Sequence, residues 1–187
     1  MMIVLVGYAS AHGSVREIAE RVASRLEGAG CRVDCRSLED RGPGNPAEWD
    51  ACVIGSAVHN QDWLPDARQW VERYTAELSR MPVWMFSVGM SRAVGYRLRA
   101  RAEEEQRRRV LKELRERIHP VEHKVFSGKV HPEHLNPVGR TLFRAMGGRY
   151  GDYRDWPMIE AWADSVAERL TARAEWGSPP GRGGGSR

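Results

Sequence analysis

Ile3-Val4-Leu5-Val6-Gly7-Tyr8-Ala9-Ser10-Ala11-His12-Gly13-Ser14-Val15-Arg16-Glu17-Ile18-Ala19, followed by Val22 and Leu26, is the stretch that decides the fold. Ile3 to Val6 is a continuous apolar run, as a strand buried on both faces requires. Val15, Ile18, Ala19, Val22 and Leu26 then recur on one face at helical spacing. Between them lies a small polar turn. Ser14 and Glu17 fit the S-x-x-E capping box, which predicts a helix start at Ser14. A Ser- and Gly-rich turn opening a helix presents unpaired backbone N–H groups and a positive dipole end, both suited to a phosphate. The competing reading is that Ser10 and Ser14 only close a turn and cap a helix.

The turn is not a general nucleotide fingerprint. Gly7 and Gly13 have no third glycine in G-x-G-x-x-G spacing, which disfavours a dinucleotide site. No G-K-S or G-K-T occurs, which excludes a P-loop NTPase.

Strands and helices alternate along the remainder. Cys31 to Arg36 alternates polar and apolar residues, as an edge strand does, and Ala51 to Gly55 reads as a third, buried strand. Pro46 to Trp49 has room for a single turn. Pro65 to Leu78 carries Ala67, Trp70, Val71, Tyr74 and Leu78 at helical spacing. Pro82 to Val88 and Lys124 to Gly128 are the fourth and fifth strands. Asp155-Trp156-Pro157 starts a last helix with Ile159, Trp162, Val166 and Leu170 as its core stripe. This pattern predicts an α/β protein with a doubly wound, five-stranded parallel sheet in the flavodoxin-like order 2-1-3-4-5. The domain is expected over residues 1–176, with 177–187 a disordered Gly/Pro/Arg tail too poor in apolar residues to fold. Ligands of such sheets bind beyond the carboxyl ends of the strands, which predicts a site among the loops Ser10 to Ser14, Ser56 to Trp63 and Ser87 to Tyr96.

The quoted opening, Tyr8 to Ala19, resembles that of the flavodoxin-domain proteins related to menaquinone-dependent protoporphyrinogen dehydrogenase. Gly55-Ser56-Ala57-Val58-His59 resembles their Gly-Ser-Ala-Val-Tyr-type loop. Val125-Phe126-Ser127-Gly128-Lys129 and Gly151-Asp152-Tyr153-Arg154-Asp155-Trp156 resemble two later signatures. The resemblance covers about residues 2 to 171. It implies FMN as the cofactor, held by Ser10, Ala11, His12, Gly13, Ser14 and Val15 at the phosphate. Ser56, Ala57, Val58, His59, Asn60 and Trp63 are implied around the ring, with Ser87, Val88, Gly89 and Met90 opposite. Val15 stands where a Thr is usual, removing one hydroxyl ligand. The implied reaction passes electrons from a porphyrinogen-like or other small cyclic donor to a quinone-type acceptor. Two alternatives stand beside it: an electron carrier docking on a protein partner, and a flavin-free interaction module.

Individual residues carry open readings. Trp63 either stacks on the flavin or anchors the following helix to the core. His59 either hydrogen-bonds or protonates the reduced flavin, or is an exposed loop histidine. Arg97 to Arg117 reads as a solvated mixed-charge helix with i,i+4 pairs such as Glu103 with Arg107. Its partial stripe of Leu98, Val110, Leu111, Leu114 and Ile118 can dock on the sheet or on a second subunit, which allows a homodimer. His119, His123, His131 and His134 lack accompanying cysteines or paired acids, so no metal site is expected. Leu135, Val138, Leu142 and Met146 line one face of a short helix with Arg140 and Arg144 opposite, suited to the sheet first and to anionic lipid second.

Composition bounds these readings. At 187 residues the chain is expected to form one domain burying roughly 70% of its unfolded surface. No apolar run approaches the ~18 residues of a membrane-spanning helix, and no signal peptide is apparent, which predicts a cytoplasmic protein, peripheral on the membrane at most. Cys31 and Cys35, four apart in a strand, have Cα atoms ~13 Å apart, too far to bridge. Lys and Arg number 29 against 25 Asp and Glu, a net charge of +4 that favours an anionic partner and not a basic reductase. No recognition motif points to nucleic acid.

Overall fold

The apolar runs become parallel strands flanked by helices on both faces. The computed structural model describes residues 1–59, 62–89, 112–134, 137–145 and 147–177, with side chains at 41, 134 and 174–177 set aside. Its strands are β1 (Ile3–Ala9), β2 (Arg32–Ser37), β3 (Ala51–His59), β4 (Asp62–Trp63), β5 (Val83–Gly89), β6 (Glu122–Ser127), β7 (Lys129–Val130) and β8 (Gly151–Asp152). Its helices are α1 (Ser14–Gly28), α2 (Pro65–Arg73), α3 (Thr75–Leu78), α4 (Lys112–Ile118), α5 (Pro137–Ala145) and α6 (Trp156–Gly177). The main sheet runs β2-β1-β3-β5-β6, all parallel. Counting long strands only, this is the expected order 2-1-3-4-5. The order in which strands are added reverses between β1 and β3, and the crevice of a doubly wound sheet opens at that point.

Alternation along each buried strand divides the core in two. Val4 and Val6 of β1, with Val53, Trp84 and Phe86, face α1 and α6, whose Ile18, Val22, Leu26, Ile159, Trp162, Val166 and Leu170 close over them. Leu5, Cys52, Ile54 and Met85 face the other way, under Trp63, Trp70, Val71, Leu78, Leu114 and Ile118. All the apolar positions expected for α1 and α6 are therefore buried. At the start of α6, Asp155 Oδ1 accepts from the Met158 N–H at 3.1 Å, which fixes the helix entry.

Several expectations need correction. The sheet has six strands, because β4 folds back antiparallel on the end of β3, pairing Val58 with Trp63 and His59 with Asp62. Ser56 to His59 is therefore strand and not loop. Gly55 suggested a strand end, but it lies mid-strand because the Phe86 ring packs directly on its Cα; an ideal Cβ there would sit 2.0 Å from Phe86 Cζ. The helix expected over Pro65 to Leu78 breaks at Tyr74. There the Thr75 hydroxyl donates back to the Val71 carbonyl at 2.9 Å, an interaction that bends helices.

The capping box is also absent. Gly13 is the N-cap, in a left-handed conformation (φ 82°), and no side chain caps the helix. Ser14 is instead the first helical residue, and its Oγ accepts from the distant Lys129 N–H at 3.1 Å.

The helix α5 does not pack on the main sheet either. Val138 and Leu142 are exposed, and Phe143 packs with Val130 and Tyr150 on the β7–β8 hairpin, a small cluster of its own. The stripe residues Leu135 and Met146 lie outside the described residues, as do Leu98, Val110 and Leu111 and the Glu103–Arg107 pair. Leu114 and Ile118 of α4 do dock on the sheet. α6 reaches Gly177, where the tail was expected to begin, and 178–187 lie outside the described residues. Among the described residues, no helix is long and apolar enough to cross a membrane, and no three His, Cys, Asp or Glu side chains group to hold a metal.

Candidate functional site

Parallel strands stop together, so the carboxyl ends of β1, β3, β5 and β6 converge at one edge of the sheet and border a cavity of about 280 Å³. Its β1 wall is Ser10, Ala11, His12, Ser14 and Val15. Ala57, Val58 and His59 contribute the end of β3, and Val88 and Gly89 the end of β5. The sequence thus located most of the lining. Asn60 and Met90, with the rest of the third loop, lie outside the described residues.

Four of the expected contact residues do not line the cavity. Gly13 is the N-cap of α1, between the lining residues His12 and Ser14, where its positive φ turns the chain into the helix. Ser56 and Ser87 are fully buried behind the wall. Ser56 Oγ accepts from the Leu64 N–H at 3.1 Å, and Ser87 Oγ accepts from Trp63 Nε1 at 2.7 Å while standing 2.8 Å from His123 Nε2. Trp63 is only 3% exposed and meets His123 edge-on. Of its two readings, the geometry gives the anchor: its indole pins β4 to β5 and β6.

Three lining residues were not assigned from the sequence: Leu64, Gly128 and Lys129. Leu64 follows the unexpected β4. Gly128 was visible as a glycine ending a strand, a sign of close backbone approach. A Cβ on it would stand 2.9 Å from Val88 Cγ1 and 3.5 Å from Ser14 Oγ, so the turn after β6 presses directly against the start of α1.

Polar groups concentrate at the α1 end. Ser10 Oγ is buried and has no hydrogen-bond partner among the described residues. The first-turn N–H groups of α1 carry no side-chain cap, and a Cβ added to Gly13 would meet no atom closer than Glu17 Oε1 at 4.0 Å. An orphaned hydroxyl beside an uncapped helix start fits an incoming oxyanion. Val15 is in the core, so only its backbone can serve this end.

Behind this end stands a charge cluster. Lys129 Nζ reaches both Glu17 carboxylate oxygens, at 2.8 and 3.1 Å, and Arg154 NH1 reaches Glu17 Oε2 at 2.6 Å. Arg154 also grips Asp152 through two nitrogens and lies 4.5 Å above the Trp156 ring. These hydrogen bonds, that from Lys129 foremost, hold the Glu17 carboxyl below its ordinary range, and Arg154 does the same to Asp152. The cysteines take no part: burial pushes the Cys35 thiol up to about 11 and Cys52 up to about 12.

The family model described as Flavodoxin domain matches residues 5–155. No curated protein matches the chain by sequence. Among solved structures, rubredoxin oxygen:oxidoreductase from the anaerobe Desulfovibrio gigas superposes with a TM-score of 0.58 at 14% identity, over 92% of this chain and 37% of that one. This chain therefore spans little more than a third of that protein. A flavodoxin from the domain Archaea gives 0.54 at 15% identity, over 91% of this chain and 99% of the other. The flavodoxin of Streptococcus pneumoniae TIGR4 gives 0.52 at 14%, again over 91% and 99%. Identities this low speak to the fold alone.

Proposed function

The chain belongs to the flavodoxin-domain family, whose cofactor is FMN, and from that premise we propose that it is an FMN-dependent oxidoreductase. In this reading it takes electrons from a small cyclic donor of the porphyrinogen kind and passes them to a quinone-type acceptor. The observation that carries the cofactor site is the unpartnered Ser10 hydroxyl beside the uncapped start of α1. Ser10 and the α1 backbone would hold the phosphate, and Ala57, Val58, Leu64 and Val88 form the apolar walls that exclude water from the ring. The bound flavin supplies the redox chemistry, accepting and releasing electrons at its ring. His59, exposed in the cavity lining, would exchange a proton between the reduced flavin and solvent. The porphyrinogen and quinone are supported by the resemblance of the Ser10–Ser14, Gly55–His59, Gly128–Lys129 and Asp152–Trp156 segments, which lie in or beside the cavity wall.

A second reading, an electron carrier, is favoured by the full-length superposition on two flavodoxins. The net charge of +4 opposes docking on a basic reductase. Turnover separates the two. The FMN-loaded protein is expected to oxidise protoporphyrinogen with menadione as acceptor, followed by porphyrin fluorescence. A yellow protein that exchanges electrons with a reductase but never turns over these small molecules would make it a carrier. A colourless protein that FMN cannot reconstitute would make it a flavin-free interaction module.

We further propose that the protein is cytoplasmic and rests on anionic membrane through α5. Val138 and Leu142 are exposed one turn apart, and Arg140 and Arg144 belong to the same helix. Arg140→Glu with Arg144→Glu is expected to reduce sedimentation with phosphatidylglycerol vesicles severalfold and to leave flavin content unchanged. Vesicle binding indifferent to both salt and these changes would exclude this surface. A homodimer, the alternative that the stripe within Arg97 to Arg117 allows, would appear in sedimentation without vesicles.

A further inference from the structure

Resting on the FMN reading above, we infer that Lys129 sets the preference for a phosphorylated flavin over the unphosphorylated one, with Glu17 as the anion it leaves to do so. A flavin phosphate gains from a cation within reach, and among the described residues Lys129 is the lysine or arginine in the cavity wall. Its backbone is fixed on α1 by the bond to Ser14 Oγ, and a Cβ on Gly128 before it would stand 2.9 Å from Val88 Cγ1. Its ammonium meets Glu17 Oε1, the atom that a Cβ on Gly13, the N-cap, would approach to 4.0 Å. The charge therefore already stands beside the place where the helix start would receive a phosphate.

Glu17 occupies the first turn of α1, where a carboxylate gains from the same helix field that a phosphate would use. It is a resident competitor for Lys129. A lysine leaving a lone carboxylate would face a cost, but Glu17 is held from its other side by Arg154. The Arg154 side chain is only 5% exposed, locked between Asp152 and the Trp156 ring, and stays when Lys129 turns away. Lysine suits this task because its ammonium is a compact point charge on a flexible stem, able to swing between two anions.

Titration of FMN and riboflavin by quenching of flavin fluorescence tests the assignment. Lys129→Met is expected to weaken FMN binding about tenfold and to leave riboflavin unchanged, so that the ratio of the two affinities falls. Lys129→Arg should recover part of that ratio. Glu17→Gln, which frees Lys129 and removes a nearby negative charge, should tighten FMN severalfold, and the gain should vanish when Lys129→Met is added. High salt should shrink all of these differences. An unchanged affinity ratio in Lys129→Met, or equal losses for both flavins, would overturn the assignment while leaving the FMN site standing. Failure of Glu17→Gln to tighten FMN would remove Glu17 as the competitor. A native protein that binds neither flavin would overturn the FMN reading and this inference together.

Discussion

Gly55→Ala is expected to cost about 3 kcal/mol or more of stability, measured by urea denaturation. The new methyl would stand 2.0 Å from Phe86 Cζ and 2.3 Å from both Cε atoms, inside the ring's van der Waals envelope. The ring has nowhere to go. It is fully buried and meets Phe126 at 6.0 Å and Trp162 at 5.8 Å between ring centres. A compensating change should reveal the cause. Phe86→Leu alone loses packing and should destabilise the native chain, yet in the Gly55→Ala background it should relieve the overlap and stabilise. That reversal of sign is the decisive result. Additive losses would show that Gly55 matters for another reason, such as backbone conformation.

Ser10→Ala and Ser14→Ala should have opposite consequences, although local sequence treats the two serines alike. With FMN held as proposed, loss of the Ser10 hydroxyl is expected to weaken FMN by ~1.5–3 kcal/mol, the worth of a charge-assisted hydrogen bond, and to leave riboflavin almost untouched. The cofactor-free protein should be no less stable, since a buried and unpartnered hydroxyl is a burden on folding. Ser14→Ala removes the acceptor for the Lys129 N–H and should cost the cofactor-free protein about 1 kcal/mol. Thermal unfolding of both variants, with and without FMN, separates these roles. Destabilisation of the empty protein by Ser10→Ala would show that its hydroxyl serves the fold and not the phosphate.

The contrast between the two serines shows where sequence stops being informative. The strands, the buried faces of α1 and α6 and the strand order follow from periodicity, because residues such as Ile18, Val22 and Ile159 declare their face by spacing alone. Most of the cavity lining follows as well, since the doubly wound topology brings the strand ends together. What local pattern cannot supply is pairing at a distance. Ser14 and Glu17 satisfy the spacing of a capping box, but their partners lie 115 and 112 positions away at Lys129, where a backbone amide and an ammonium outcompete local capping. Gly55 looked like a boundary because the Phe86 ring that requires its bare Cα belongs to another strand. Trp63 was ambiguous because its fate depended on whether Ser87 would offer an oxygen. On α5 the pattern revealed an apolar face but not its partner, and Phe143 alone turned inward.

The pairing of α1 with α6 has a consequence for how the protein is born. One whole face of the sheet, with Val4, Val6, Val53, Trp84 and Phe86, is roofed jointly by the earliest helix and by the last one described. The two are clasped by Arg21 with Glu160 and by Arg25 with Asp164, each pair 139 positions apart. While the ribosome is still making the middle of the chain, α1 can form, but half of its roof does not yet exist. The sheet must wait with tryptophan and phenylalanine open to water until α6 emerges. Contacts of such separation slow folding and lengthen the exposure of sticky surface. A nascent chain stalled before Trp156 would thus be a client for chaperones.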